Sequence, residues 1–289
     1  MTSEVLVDSR ISRLIELALM EDIGLGDLTS EATIPDDQLG KGEFLCKEEG
    51  IVAGLEVAGL VFQYCDQSIT LSPEREDGSF VSPGQILARL DGKTKGILRG
   101  ERTALNFLQR MSGIATTTRK YVEAVAGTNA KIVDTRKTAP GLRVLDKWAV
   151  RLGGGTNHRF GLDDMILIKE NHIAAAGGIT EAVERCQRYL EERSITISIE
   201  VETRNLSEVR EVLTCSGIKR VMLDNFSPDE MRRAVELINH RLEIEASGGI
   251  TLHNVRTIAV TGVDYISVGA LTHSVKALDI SLDLSHPGS

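Results

Sequence analysis

The feature that most limits what this chain can fold into is an alternation that begins near residue 130. Six short β-rich segments, AKIVD, MILIK, TISIEVE, RVMLD, LEIEAS and DYISVG, are separated by helical ones. The intervening GITEAVERCQRYLEERS, NLSEVREVLTCSG, SPDEMRRAVELINH and TLHNVRTIAVTG are amphipathic, and most begin on a polar cap. Strands spaced in this way pair in parallel, because a parallel neighbour needs a crossover long enough to hold a helix. The alternation predicts a six- or seven-stranded TIM-like α/β barrel over residues 113–270, the seventh strand falling around the GGG segment. A doubly wound open sheet is the alternative architecture.

Residues 1–112 obey a different grammar. In residues 9–22, Ile11, Leu14, Ile15, Ala18 and Leu19 recur at helical spacing, with Asp8 or Ser9 placed to cap. GEFLCKEEGIVAG reads as two short strands around a turn, and LEVAGLVFQYC as a helix. More strands come next, with turns at Asp77-Gly78 and Pro83-Gly84. This predicts an N-terminal α+β sandwich-like domain ending in one or two helices within GILRGERTALNFLQRMSG. The tail, about 271–289, is free to pack back on it. DGSFVSPGQILARL is similar to the hairpins of biotinyl or lipoyl carrier domains, but the lysine such a hairpin tip needs is missing.

Composition enters as a set of exclusions. A formal net charge of −9 opposes non-specific nucleic-acid binding. No run approaches the roughly 18 apolar residues of a membrane span, and MTSEVLVDSR lacks the apolar stretch of a signal peptide. Cys46, Cys65, Cys186 and Cys215 show no C-x-x-C spacing and read as buried thiols of a reducing compartment. The expectation is a cytoplasmic protein with no nucleic-acid or membrane partner.

Within this acidic chain one stretch is basic. Asp134 to Arg159 carries six Lys/Arg against two acids, interleaved with Pro140-Gly141 and Gly153-Gly154-Gly155. Guanidiniums and free backbone N–H groups suit carboxylate or phosphate oxygens. Arg136, Lys137, His158, Arg159 and the nearby Lys169 are assigned to an anion site. Arg143, Lys147 and Arg151, spaced i, i+4, i+8, are read mainly as the charged face of a helix, with Lys147 as ordinary surface charge.

The residues trailing each strand support the same location. Thr135-Arg136-Lys137, Lys169-Glu170-Asn171-His172, Glu202-Thr203-Arg204, Asp224-Asn225, Ser247-Gly248-Gly249 and Gly269-Ala270 all come directly after a β segment. Polar and glycine clusters at strand C-termini are where a barrel carries its site. Alternation in TISIEVE puts Ile195, Ile197, Ile199 and Val201 on one face and Thr196, Ser198, Glu200 and Glu202 on the other. Both glutamates then point into the lumen, Glu202 nearest the mouth. Glu200 is read as a structural salt bridge to an interior lysine. Glycine turns after the last two strands, feeding helix N-termini, suit a phosphate. Of the histidines, only His158 and His172 fall in the cluster.

These motifs carry a resemblance. TRKTAPGLR, DKWAV, GGGTNHR, IKENHIAAAGG, VMLDNF, SGGI and VGALTHS are similar to the quinolinate phosphoribosyltransferases, and the likeness runs from EDIGLGDLTS to LDISLDL. The resemblance implies transfer of phosphoribose from phosphoribosyl pyrophosphate to quinolinate with decarboxylation, giving nicotinate mononucleotide, pyrophosphate and CO2, with Mg2+ required. It implies that Arg102, Arg136, His158, Arg159 and Lys169 hold the quinolinate carboxylates, and that Lys137 contacts substrate or departing pyrophosphate. Glu202 and Asp224 would hold the ribose hydroxyls and stabilise the cationic anomeric carbon, and they are the candidates for holding the metal, directly or through water. Ser247, Gly248, Gly249 and Gly269 would bind the 5′-phosphate. It further implies a homodimer in which Arg102 reaches the neighbouring subunit's pocket. Two rivals stand beside it: a non-decarboxylating phosphoribosyltransferase for another aromatic acid, and a non-catalytic phosphosugar-binding protein. A mere binder has no need of both Glu202 and Asp224 beside the cations.

Overall fold

A computed structural model describes residues 8–285, which fall into two compact units. The units are not contiguous in sequence. The first holds the described residues up to Arg119, then Thr138–Gly154, then those from Thr272 onward; the second holds Lys120–Lys137 and Gly155–Leu271. Thr138–Gly154, which the strand and helix grammar placed within the barrel stretch, is thus part of the first unit. His286, at the end of the chain, lies outside the described residues.

The first unit contains α1 (Ser9–Ile23), α2 (Leu28–Thr33), β1 (Leu39–Cys46), β2 (Gly50–Ile51), α3 (Leu55–Cys65), β3 (Thr70–Pro73), β4 (Phe80–Val81) and β5 (Ile86–Lys93). Most of the long α4 (Thr94–Ala124), α5 (Arg143–Leu152) and β12 (Ile280–Ser285) complete it. Its main sheet is antiparallel in the order β12-β1-β5-β3, so the tail does join the N-terminal sheet, pairing Phe44 with Leu282. Alternation along β1 buries Gly40, Gly42, Phe44 and Cys46. Phe44 meets Phe62 of α3 with ring centroids 6.1 Å apart. Gly113 of α4 is needed for packing, because a Cβ there would overlap the carbonyl of Lys276.

Local chemistry sets the ends of these helices. Asp8 caps α1 by accepting the backbone N–H of Arg10 at 2.9 Å. The N-terminus of α3 is capped from a distance: Asp77 accepts the N–H groups of Gly54 at 2.8 Å and Leu55 at 3.1 Å. Burial nonetheless pushes the Asp77 carboxyl up to about 6.

Helix α5 corrects one expectation. Its residues Leu145 to Val150 are all buried, and Lys147 is only 3% exposed, so Lys147 is not surface charge. Asp146, fully buried, accepts Arg110 Nε at 2.9 Å and Nη2 at 2.8 Å. Losing one partner of such a pair costs about 3–5 kcal/mol. The i, i+4, i+8 spacing identified a stripe of cations, but a stripe shows nothing about what packs over it. Only Arg151 of the three is exposed.

The second unit contains β6 (Lys131–Val133), β7 (Ile166–Ile168), α6 (Glu170–Ala176), α7 (Ile179–Arg193), β8 (Ile199–Thr203), α8 (Leu206–Val212), β9 (Arg220–Asp224), α9 (Pro228–Ile238), β10 (Glu243–Ser247), α10 (Val255–Ala259) and β11 (Tyr265–Ser267). The short α11 (Ala270–His273) begins there as well. Its six strands form one parallel sheet in the order β6-β11-β10-β9-β8-β7. The α/β alternation thus produces a TIM-like parallel domain. The seventh strand anticipated around the GGG segment reduces to a single parallel bridge between Val133 and Thr156. Caps match the sequence signals: Ser227 and Glu230 form a reciprocal box at α9, with Pro228 in its first turn, and Asn205 caps α8. Strand β8 starts only at Ile199, so Ile195 and Ile197 precede it, and Ile195 is 38% exposed. Among the described residues, no helix is long and apolar enough to cross a membrane.

Candidate active site

In a parallel sheet every strand points the same way, so the residues after each strand collect at one end. There a cavity of about 500 Å³ opens in the second unit. Arg136, Lys137, His158, Arg159, Lys169, Glu202, Asp224 and Ser247 line it together, bringing eight of the predicted residues to one place. Gly248, Gly249 and Gly269 sit in the turns just after β10 and β11 rather than on the lining. Gly248 has φ +93°, and a Cβ there would overlap the Asn225 side chain, so this turn requires glycine. Arg102 belongs to the first unit, on the exposed face of α4.

Five lining residues lie outside the set the sequence indicated: Thr135, Leu167, Met222, Glu245 and Ser267. Glu245 has a signal that could have found it. In LEIEAS, Glu243, Glu245 and Ser247 alternate just as Glu200 and Glu202 do in TISIEVE. Leu167 and Met222 offer an apolar surface among the charges, which suits a planar ring carrying acidic groups.

The cavity's charges are arranged in opposition. Lys169 Nζ lies 2.6 Å from Glu202 Oε2. Asp224 is half-buried; burial and then the Glu202 charge raise its pKa, against Asn225, Lys169 and Lys137. Burial and the neighbouring Arg136 charge both make Arg159 less basic than usual, so an anion placed between the two guanidiniums relieves their repulsion. Arg159 Nη1 is steadied by the carbonyl of Met165 at 3.2 Å. The loop carrying these groups is tied down by buried Asp134, which accepts Asn157 Nδ2 at 2.5 Å and the N–H of His158 at 2.9 Å. His172 accepts the N–H of Lys169 through Nδ1 at 3.0 Å and is exposed, a local turn partner.

A charged cluster that runs from the lining residues His158 and Glu245 to Glu200 and Arg220 corrects the reading of Glu200. Its partner is not a lysine. His158 Nε2 is 3.1 Å from Glu200 Oε2 and 3.3 Å from Glu245 Oε2, and both glutamates are fully buried. Arg220 Nη1 lies 2.9 Å from Glu245 Oε2. Burial would pull the imidazole's pKa down, but the two carboxylates overturn that and bring it to about 9. A second ring proton, however, would sit on Nδ1, where Arg159 already directs its N–H from 2.7 Å. Burial and Glu245 raise Glu200; Glu245, despite burial, is held low by His158 and Arg220. With Nδ1 accepting the Arg159 N–H, the ring hydrogen that faces the two carboxyls is on Nε2.

His158, Glu200 and Glu245 also bring three ligand atoms within 4.8 Å of one another. A metal fits poorly there, because Nε2 carries the hydrogen and Arg220 already compensates Glu245. Glu202 and Asp224 are paired carboxylates lining the cavity, hard oxygen donors of the kind Mg2+ prefers, with Lys169 at 2.6 Å from Glu202 as the cation a metal would displace.

Taken together, a parallel α/β domain with cations facing two carboxylates, beside a glycine turn after a late strand, defines a site for joining an anionic acid to a phosphorylated sugar. That is the class of the phosphoribosyltransferases. Residues 27–112 and 114–283 match the models of the quinolinate phosphoribosyl transferase N-terminal and C-terminal domains. The chain belongs to the quinolinate phosphoribosyltransferase family. It is 50% identical over 289 residues to the chloroplastic carboxylating nicotinate-nucleotide pyrophosphorylase of Arabidopsis thaliana, covering 95% of this chain and 82% of that one. It is 44% identical to a probable carboxylating nicotinate-nucleotide pyrophosphorylase of Bacillus subtilis, covering 96% and 94%. Among solved structures, the nicotinate-nucleotide pyrophosphorylase of Francisella tularensis matches with a TM-score of 0.91 at 39% identity, covering 96% of each chain.

Proposed function

We infer that this chain catalyses the reaction of its family: quinolinate and phosphoribosyl pyrophosphate give nicotinate mononucleotide, pyrophosphate and CO2, a step of NAD biosynthesis. The observation that carries the residue-level reading is the convergence of Arg136, Lys137, Arg159 and Lys169 with Glu202 and Asp224 on one cavity. Arg136, Arg159 and Lys169 bind the two carboxylates, with the His158 ring against them, and the pyridine ring lies on Leu167 and Met222. Lys137 contacts substrate or the departing pyrophosphate and takes up charge that develops there. Glu202 and Asp224 hold the ribose hydroxyls and stabilise the cationic anomeric carbon. Ser247 and the turns of Gly248, Gly249 and Gly269 receive the 5′-phosphate. The pyridine nitrogen forms its bond to the anomeric carbon as the pyrophosphate oxygen leaves with the bonding pair. The resulting pyridinium then accepts the electron pair released as the adjacent carboxylate departs as CO2, and a proton completes the ring carbon. Mg2+, held by Glu202 and Asp224 directly or through water, would supply charge neutralisation for the pyrophosphate.

The free thiols of Cys46, Cys65, Cys186 and Cys215 suit a reducing compartment, and we assign the protein to the cytoplasm. The defining experiment incubates the protein with quinolinate, phosphoribosyl pyrophosphate and Mg2+ and measures CO2 and nicotinate mononucleotide in equal amounts, abolished by a chelator. Product without CO2 rejects decarboxylation; turnover unaffected by chelation rejects the metal.

We also propose a homodimer whose sites are completed in trans by Arg102. Arg102→Ala and Lys137→Ala are each expected to be inactive alone. After subunit exchange about half of the dimers are hybrid, and with two-fold pairing roughly a quarter of all sites regain both residues. Activity returning to about that level is the expected result. Demonstrated exchange without recovery rejects the shared site, because an Arg102 acting in its own chain leaves every site one residue short.

A further inference from the structure

Four adjacent strands build this charged cluster. Glu200 of β8 is in register with Arg220 of β9, which is in register with Glu243 of β10, and Glu245 of β10 with Tyr265 of β11. Arg220 lies 3.8 Å over the Tyr265 ring, and its Nε and Nη2 reach Glu243 Oε2 at 3.2 and 3.0 Å. The guanidinium is thus held by the Tyr265 ring and by Glu243, and its remaining contact anchors Glu245 at 2.9 Å. The sheet fixes the cluster from below. At the upper end stands His158, on a loop rather than a strand, with its side chain 6% exposed.

A histidine on a loop has no sheet register to orient its ring, so its nitrogens must be held by partners. Nδ1 has one, the N–H of Arg159 at 2.7 Å. Nε2 lies 3.1 Å from Glu200 Oε2 and 3.3 Å from Glu245 Oε2, divided between the two so that neither contact has full hydrogen-bond geometry. The ring therefore links the buried carboxylates to the backbone of Arg159, whose guanidinium lines the cavity. We propose that Glu200 and Glu245, backed by Arg220, are positioning residues for the dicarboxylate subsite, acting as paired acceptors that set His158 and, through it, Arg159. This rests on the proposed function, which puts the quinolinate carboxylates against those two side chains. Neither glutamate transfers a proton or contacts the phosphoribosyl donor in this scheme. A merely structural ion cluster predicts something different: loss of stability, with both substrates affected alike.

The test separates acceptor from charge. Glu200→Gln and Glu245→Gln keep an oxygen toward Nε2, whereas Glu200→Met and Glu245→Met keep the length and remove it. Steady-state kinetics on the intact protein should show the Met variants with quinolinate KM raised about 10- to 100-fold, the effect of leaving a buried donor without its acceptor. KM for phosphoribosyl pyrophosphate should stay within about threefold of wild type. The Gln variants should recover most of the lost quinolinate affinity. Equal losses for both substrates, or Gln and Met variants that behave alike, overturn the proposal. Should the Met variants fail to fold, 15N spectra of histidine-labelled wild-type protein still decide, with His158 assigned through His158→Ala. A hydrogen-bonded Nε2–H is expected, and a ring protonated on Nδ1 alone overturns the proposal. Wild-type protein with no quinolinate turnover would instead sink the functional reading, leaving the tautomer measurement to stand by itself.

Discussion

Lys137→Ala is expected to reduce kcat by about 100- to 1000-fold while the thermal melt stays unchanged, the scale seen when one preorganised charge-stabilising donor is removed. Lys137 is exposed on the cavity lining, so its truncation should leave the buried core intact. Lys147→Ala should do the opposite. With 3% of its surface exposed, Lys147 has a buried aliphatic stem, and truncation should cost about 2 kcal/mol or more of stability with little change in kcat for the protein that remains folded. Scanning calorimetry beside steady-state kinetics separates the two. Equal kinetic losses with identical melting curves would show that the division between site and scaffold in this basic stretch is mistaken.

Quinolinate should be preferred over nicotinate by at least about 10- to 100-fold in kcat/KM, since each charge-assisted pair to a desolvated carboxylate contributes roughly 1.5–3 kcal/mol. Arg136 and Arg159 lie close enough for one to lower the pKa of the other, and a second carboxylate is the natural counterion for such a pair. Nicotinate leaves part of that repulsion uncompensated and has no adjacent carboxylate to release. Competition in a single reaction, with the products then separated and CO2 trapped, measures the ratio directly. Equal turnover of nicotinate would favour a non-decarboxylating phosphoribosyltransferase.

The residues differ in how far their roles are legible without coordinates. Periodicity is local: side chains alternate along a strand and recur every three to four residues on a helix, whatever surrounds them. For this reason the six strands, the long helices and the caps at Asp8, Asn205 and Ser227 can be read from the sequence. Parallel pairing then collects the strand ends, so eight of the predicted residues line one cavity. The same alternation puts Glu245 on the lumen side of its strand, but within that strand nothing marks it as a partner of His158.

What periodicity cannot carry is the identity of partners brought together from distant parts of the chain. Lys147 and Arg151 lie one turn apart on the same face of α5, yet one is buried and the other exposed, because the helix is enclosed on every side from Leu145 to Val150 and the enclosure stops before Arg151. Glu200 faces His158 and Glu245 and not a lysine, a pairing decided by a loop, two strands and their register. Thr138–Gly154 belongs to the first unit although it lies between barrel strands in sequence. The sequence by itself determined the elements, their parallel order of use and the end of the sheet where the chemistry gathers, since these depend on short-range sterics and hydrogen bonding. The tertiary structure alone decided which charges are buried and what compensates each one, since desolvation and Coulomb energy depend on distances between residues far apart in the chain.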